Sequence, residues 1–432
     1  MLLIYKNNKS SYCRIETILV PKYYKGALAL PSKSIGHKQL ISQSLSVLPT
    51  EKFSSPLLNY DYDKLSVDAL MKIFIAAQLD HWESYEEMEE RLRANPEFCE
   101  SINLPSISGS QLSRRINDLP TQYAQELFQN VVGMIQDLTK DRKGISPEIG
   151  RLKIIDSTHV KLPSSLCDWA FVSKGWNVVK MHTRLVVVSE DVAYPDKIVP
   201  STGNVADVET SDRLIEEDDA TYLMDRGYPS VPNLMTWQEQ EISFVVRVTK
   251  SIKVVPIEIY ESNHPAILRD AKVHYSYADK PIRLVEFEDE EHRLYRLMTT
   301  RWDLSAEQIM ELYRHRWMIE IFFKWVKQHL KLTHIWSTKP QGMWNQMFLA
   351  LAAYGLALIL QLKSKTKKTL WAFLRLMRTY MYKPYNEFFN ELNRTKSKTS
   401  RGRQKVPIPK EKVTTFEEGI ENIVIIKPPK EK

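Results

Sequence analysis

Glycine is scarce in this chain, with 13 among 432 residues, well below the ~7% of ordinary globular proteins. No G-x-G-x-x-G or G-x-x-x-x-G-K-[ST] run occurs, so phosphate binding through a glycine-rich loop has no support. Cysteine is scarcer still. Cys13, Cys99 and Cys167 are far apart, odd in number and without a C-x-x-C pair. That pattern argues against a disulfide scaffold or a cysteine zinc site and for a reducing compartment. The opening MLLIYKNNKS lacks the apolar core, roughly 7–15 residues, of a signal peptide. The longest apolar run, Phe348 to Leu360 (FLALAAYGLALIL), has 13 residues, short of the ~20 that span a bilayer. A buried core helix is expected there, in a cytoplasmic protein with no membrane role.

What is present is enough for a large core: 43% of the residues are hydrophobic. At about 100–200 residues per domain, the length suggests two to four structural units. The net charge of +7 is unevenly placed, because residues 363–432 hold 18 Lys and Arg against 7 Asp and Glu. A basic tail of this kind implies an anionic partner.

The expected fold class is α/β, with helical regions at both ends. Residues 1–145 read as a helical N-terminal DNA-binding region. Within it, SISGSQLSRRINDL places Ser108 and Gln111 in capping-box spacing, and Gln111, Arg114 and Arg115 on a short helix that suits a DNA groove as well as it suits an ordinary connector. From Arg151 the texture changes to short β-branched runs, RLKIID, RLVVVS, DKIVPST, TYLMD and SFVVRV, with helical stretches between the later ones; a mixed sheet with crossovers follows. Residues 252–300 contain four β-like runs and no helix, a β-rich insertion. One long helix is expected from Ser305, the apolar run forms another, and WAFLRLMRTYMYKPYNEFFNEL forms an aromatic helix in the basic C-terminal region, residues 363–432. Beyond Asn393 the chain is rich in Lys and Pro and poor in apolar residues, so mobility is expected.

Three carboxylates stand out by position. Asp156 closes RLKIID and Asp225 closes TYLMD, and in open α/β sheets functional groups collect beyond the carboxyl ends of strands. Either one alone is more often a cap or turn residue. Glu320 shifts the balance. Tyr313, Arg316, Glu320 and Lys327 fall at about 0°, 300°, 340° and 320° around a 3.6-residue helix, a polar stripe between apolar flanks. A carboxylate can hold a divalent cation while a phenol, guanidinium and ammonium grip phosphate. The bland alternative is a solvated face with an Arg–Glu pair.

The spacing Tyr-x2-Arg-x3-Glu-x6-Lys resembles the signature of a group of bacterial insertion-sequence transposases of the DDE superfamily. IIDSTHVKL around Asp156 and YLMDRGY around Asp225 are similar to that family's two aspartate motifs, and the resemblance covers roughly residues 150–360. The Asp-Arg-Gly-Tyr context departs from the Asp-Arg-Glu-Ala-Asp of some relatives, which points to a different subgroup. The resemblance implies an RNase H-like catalytic domain over residues 146–362, with the β-rich insertion between the second Asp and the Glu. It implies that Asp156, Asp225 and Glu320 are catalytic and ligate two Mg²⁺ or Mn²⁺ ions, and that Tyr313, Arg316 and Lys327 contact DNA phosphate near the cleaved end. The implied activity is strand nicking at the element's ends, hairpin formation and opening, and joining to target DNA. The partners it implies are double-stranded DNA and a second copy in a DNA-bridged homodimer, working at the nucleoid. Gln111, Arg114 and Arg115 are the candidate contacts to the terminal repeats. Trp317 reads as core, His159 as a weak candidate for metal or phosphate, and Trp302 and Tyr295 as candidates for holding a flipped base. The rival readings are a regulatory or domesticated DNA-binding protein with the same fold, and a DDE nuclease that cuts without joining.

Overall fold

The β-branched runs between Leu152 and Thr299 pair into one ten-stranded sheet among the described residues. In a computed structural model of the chain these are residues 37–394, apart from 54, 61–63, 217–219, 331 and 333. The strands are β1 (Leu152–Leu162), β2 (Phe171–Ser173), β3 (Trp176–Ser189), β4 (Val192–Thr202), β5 (Thr221–Met224), β6 (Ser243–Arg247), β7 (Val254–Tyr260), β8 (Ile267–Tyr275), β9 (Ile282–Glu288) and β10 (Leu294–Thr299). Laterally they run β3-β1-β5-β6-β10-β9-β8-β7, with β2 and β4 both paired to β3. The pairs β3–β4 and β1–β3 are antiparallel, whereas β1–β5 and β5–β6 are parallel. A parallel neighbour needs a crossover. The short helix α8 (Ser211–Leu214) precedes β5, and α9 (Val231–Glu239) connects β5 to β6.

The expected β-rich insertion is present as four strands, β7 to β10, but it is not a separate lobe. β10 pairs antiparallel with β6, so the insertion extends the main sheet sideways.

Before the sheet come α1 (Leu40–Leu45), α2 (Pro56–Asn59), α3 (Val67–Asp80), α4 (Tyr85–Ala94), α5 (Pro96–Ser101), α6 (Gly109–Asp118) and α7 (Thr121–Thr139). Pro96 ends α4 and opens α5 at its first position, where its missing N–H costs nothing. After the sheet come α10 (Ala306–Arg314), α11 (Trp317–His329), α12 (Pro340–Ser364), α13 (Leu370–Thr379) and α14 (Tyr385–Leu392). The described residues through Leu392 form one compact unit. The first 36 residues and the Lys- and Pro-rich stretch after Arg394, where mobility is expected, lie outside the described residues.

Two apolar layers sandwich the sheet, sorted by strand alternation. Leu152, Ile154 and Val160 face a core shared with α3, α7 and α12, while Ile155, Tyr222 and Phe244 face α9 through Leu234 and Trp237. The 13-residue apolar run lies within α12, a helix of 25 residues, long and apolar enough to cross a membrane but mostly buried against its neighbours. Two buried arginines clamp the sheet. Arg184 on β3 holds Asp196 on β4 with two bonds of 2.8 Å, and Arg283 on β9 holds Asp270 on β8 with bonds of 2.9 and 2.8 Å.

Two long helices read from the sequence are broken. WAFLRLMRTYMYKPYNEFFNEL divides into α13 and α14 around Pro384, which cannot donate and disfavours helix in the residue before it. The helix from Ser305 divides into α10 and α11 at His315 and Arg316. There Arg316 N–H donates to the Tyr313 carbonyl (3.1 Å) and Met318 N–H to that of His315 (2.9 Å), a tightened turn with i to i+3 bonding.

Candidate active site

The sheet register builds the site. Ile155 is level with Met224 and Met224 with Val246. The next residue along each parallel strand, Asp156, Asp225 and Arg247, therefore falls in one row at the carboxyl end. Asp156 does not end its strand, as the sequence suggested. β1 runs on to Leu162 beside β3; only its pairing with β5 stops at Ile155.

The break between α10 and α11 sits over this row. Tyr313, at the end of α10, donates its hydroxyl to Asp225 Oδ1 (3.2 Å), and Arg247 Nη1 lies 3.8 Å from the same oxygen. Arg316 reaches two acids: its Nη1 is 2.8 Å from Glu320 Oε1 and 3.7 Å from Asp156 Oδ2. Glu320 and Lys327 line one cleft of about 510 Å³ with Asp156, Ser157, Thr158 and Lys324. Tyr313, Arg316, Glu320 and Lys327 thus gather around one site although the helix that was to align them is broken.

Burial is the largest influence on the titrating groups of the site. Burial, with the charges of Asp225 and Glu320, pushes the Asp156 carboxyl up to about 6, against the pull of Arg316 and a 2.8 Å hydrogen bond from Ser157 N–H. Burial pulls the Lys327 ammonium down. Among the described residues no three His, Cys, Asp or Glu groups are gathered as a metal cage; Arg316 is the cation between Asp156 and Glu320.

A supporting network lies next to these acids. Asp207 accepts from Ser157 Oγ (2.9 Å) and Lys180 Nζ (3.3 Å) and lies 3.3 Å from the buried His182 Nδ1. His182 Nε2 in turn meets Ser201 Oγ at 2.9 Å. Although burial pushes upward, the bonds from His182 and Ser157 and the charge of Lys180 bring Asp207 down to about 2. Asp207 also sits close against Gly227, where a Cβ would lie 3.1 Å from Oδ2. It therefore sits between the strand residue that follows Asp156 and the turn that follows Asp225. Nothing around Asp207 in the sequence marks it, since DVETSDRLIEED reads as a helix, and Arg247 reads only as the end of SFVVR.

Other candidates land elsewhere. Arg115 is buried and donates to the Leu58 carbonyl (2.7 Å), so it packs α6 rather than facing a groove. Gln111 turns back to accept from Ser108 N–H (3.1 Å), completing the capping box. Arg114 is exposed. Trp317, read as core, is 56% exposed with the Arg316 guanidinium 5.9 Å from its ring. Tyr295 is engaged, stacked on Phe287 at 5.0 Å and covered by Arg247 at 4.5 Å, whereas Trp302 is exposed. His159 is exposed on the Ser157 face of β1.

Comparison with known proteins bears on this geometry. The sequence matches the family described as "Transposase DDE domain" over residues 148–356. It is 26% identical over 306 residues to a probable transposase for insertion sequence element IS5377 of Geobacillus stearothermophilus, covering 69% of this chain and 77% of that protein. It is 30% identical over 247 residues to the putative transposase y4zB of Sinorhizobium fredii, covering 55% and 67%. A putative transposase for element IS4SA of Synechocystis is 23% identical over 331 residues, covering 74% and 90%.

Proposed function

This chain belongs to the DDE transposases of insertion sequences, and we propose that Asp156, Asp225 and Glu320 are the acids with which it cleaves and joins DNA strands. The observation that carries the reading is the convergence of three carboxylates, far apart in sequence, around the turn from Tyr313 to Arg316. An RNase H-like reading of the core rests on the strand order β4-β3-β1-β5-β6, antiparallel on one side of β1 and parallel on the other, with β7 to β10 inserted before Glu320. On this reading Tyr313, Arg316, Glu320 and Lys327 are the family's Tyr-Arg-Glu-Lys signature.

The donor set fits Mg²⁺ or Mn²⁺ in kind: three hard oxygen ligands, one of them raised by burial and by like charges that an added cation would offset. Asp156, Asp225 and Glu320 would hold such ions, with Arg316 releasing Glu320. A bound pair supplies an activated water or 3′-hydroxyl and charge stabilisation at the leaving oxygen. The chain's own residues do the positioning. Tyr313 and Arg247 orient Asp225, Arg316 presents a planar donor fork to a phosphate, and Lys324 and Lys327 hold the backbone at the cleft. Nicking, hairpin formation, hairpin opening and joining are all phosphoryl transfers, so one site serves them all. Two element ends held together call for two copies bridged by DNA, in the cytoplasm at the nucleoid.

The test uses the full chain, Mg²⁺ and a plasmid carrying the DNA that flanks the element. Wild type is expected to nick and then join ends, and Glu320→Gln to bind DNA while nicking below detection. Nicking retained by Glu320→Gln overturns the assignment of the site. Wild-type binding without any cleavage favours the regulatory reading, and cleavage without joined products favours the nuclease.

A further inference from the structure

Beyond Ile155 the β1–β3 ribbon projects past the end of β5. β1 pairs with β3 from Leu152 to Leu162 but with β5 only as far as Ile155, so residues 156–162 present an edge without a β5 partner, and that edge starts at the carboxylate cleft. Strand alternation puts Ser157, His159 and Lys161 on one face. Opposite them on β3 are His182, Lys180 and Val178, and the same face continues to Trp176. His159 and Lys161 are exposed, and Lys161 Nζ lies 5.7 Å from the centre of the Trp176 ring. Trp176 is 46% exposed, at the tip of a hairpin turned by Lys174 and Gly175, the latter at φ +74°.

Charge decides what such a row can take. Its cations are Lys161 and, at the tip, Lys174. Burial and the charges of Lys180 and Lys327 favour the neutral ring of His159, which offers a hydrogen bond, and Lys324 and Lys327 line the adjoining cleft, which the face meets at Ser157. Its nearest acid, Asp207, is already engaged by Ser157, Lys180 and His182. The exposed Asp168 lies in the loop before β2. An exposed indole beside a lysine, at the end of a strand that leads from the cleft, matches the pattern of single-strand binding: a cation holds the backbone and an aromatic ring stacks on a base. A base inside a duplex is stacked on both faces and cannot offer one to such a ring, so a strand running along this face is unpaired. From Asp156 to Lys161 is five residues, or about 17 Å of strand, on the order of five nucleotide steps at duplex rise.

We propose that the face bearing His159, Lys161 and Trp176 is a docking track for a single DNA strand leaving the cleft, with Trp176 as its stacking platform. The proposal rests on the DNA-processing reading above, but its test needs no cleavage.

The test is binding of fluorescein-labelled dT10 to the full chain in EDTA, followed by anisotropy across a salt series. Trp176→Ala is expected to weaken binding about tenfold, as the loss of one base–aromatic stack does, while Trp176→Phe keeps most of the affinity and controls for folding. Lys161→Ala is expected to lower the slope of log K against log salt by about 0.7. Wild-type affinity in Trp176→Ala, equal losses in Trp176→Ala and Trp176→Phe, or no binding of dT10 by wild type each overturns the proposal. Failure of the cleavage reading shows separately, as wild type that does not nick DNA in Mg²⁺ while the tryptophan effect on dT10 persists.

Discussion

Arginine meets carboxylate in two very different ways in this molecule. In the sheet, Arg184 with Asp196 and Arg283 with Asp270 are buried pairs, each bidentate at 2.8–2.9 Å, and Arg184 also reaches the half-exposed Glu216 at 3.0 Å. Spare donors reach nearby carbonyls, Leu214 for Arg184 and Leu304 for Arg283. At the candidate active site one guanidinium is shared by Asp156 and Glu320, and another stands 3.8 Å from Asp225. The first arrangement leaves nothing for a ligand to add. The second leaves Asp156 with its carboxyl at about 6, so a cation or a rearranged arginine has something to gain. Closed pairs hold the scaffold, and the unbalanced cluster is where chemistry is to be sought.

That contrast can be broken by mutation, and the largest effect belongs to the scaffold. Arg283→Ala should cost about 3–5 kcal/mol, since it strands a buried carboxylate, and urea denaturation reads the loss directly. A cost under ~1 kcal/mol would show that the pair is not holding β8 to β9. Next comes Asp156→Asn, with the opposite sign. The folded chain keeps a proton on Asp156 up to about pH 6 that the unfolded chain releases near 4. The native fold is therefore penalised progressively as pH rises from about 4 to 6, and fully above that. The substitution should stabilise the metal-free chain by about 3 kcal/mol at pH 7.5, and the gain should vanish below pH 4. Destabilisation instead would place Asp156 among the closed pairs. The smallest effect is at Asp207, whose carboxyl lies at about 2, below its unfolded value. Its contribution is present above pH 4 and lost as pH falls toward 2. Asp207→Asn should cost about 2 kcal/mol at pH 7 and flatten that acid limb, which denaturation at pH 2–5 measures.

How much of this was legible in sequence follows from which forces are local. TYLM and SFVVR are buried on both faces and read as strands at once, and the four runs from Val254 to Thr299 were each recognised. Their attachment to β6 was not, because pairing of β10 with β6 is a long-range choice. Asp156 and Asp225 were found through their strands. β1 continues past Asp156 because β3 supports it where β5 does not. Tyr313, Arg316 and Glu320 were grouped by helical geometry, yet they meet through a tightened turn at His315 that no Gly or Pro announces. Arg115 and Trp317 exchanged places with expectation, one inside and one outside, because burial on a short helix depends on which neighbours arrive. Asp207 was invisible: its role comes from Ser157, Lys180 and His182, none of them near it in sequence.

The sheath around α12 has a consequence for synthesis. Its apolar surface is matched by α3, α6 and α7, all made more than two hundred residues earlier. Until the ribosome has delivered the chain past Ser364, those early helices wait with an empty socket. The half-made protein must be shielded from aggregation, and a gene copy cut short before Pro340 is expected to yield an insoluble, rapidly degraded fragment rather than a separately acting DNA-binding half.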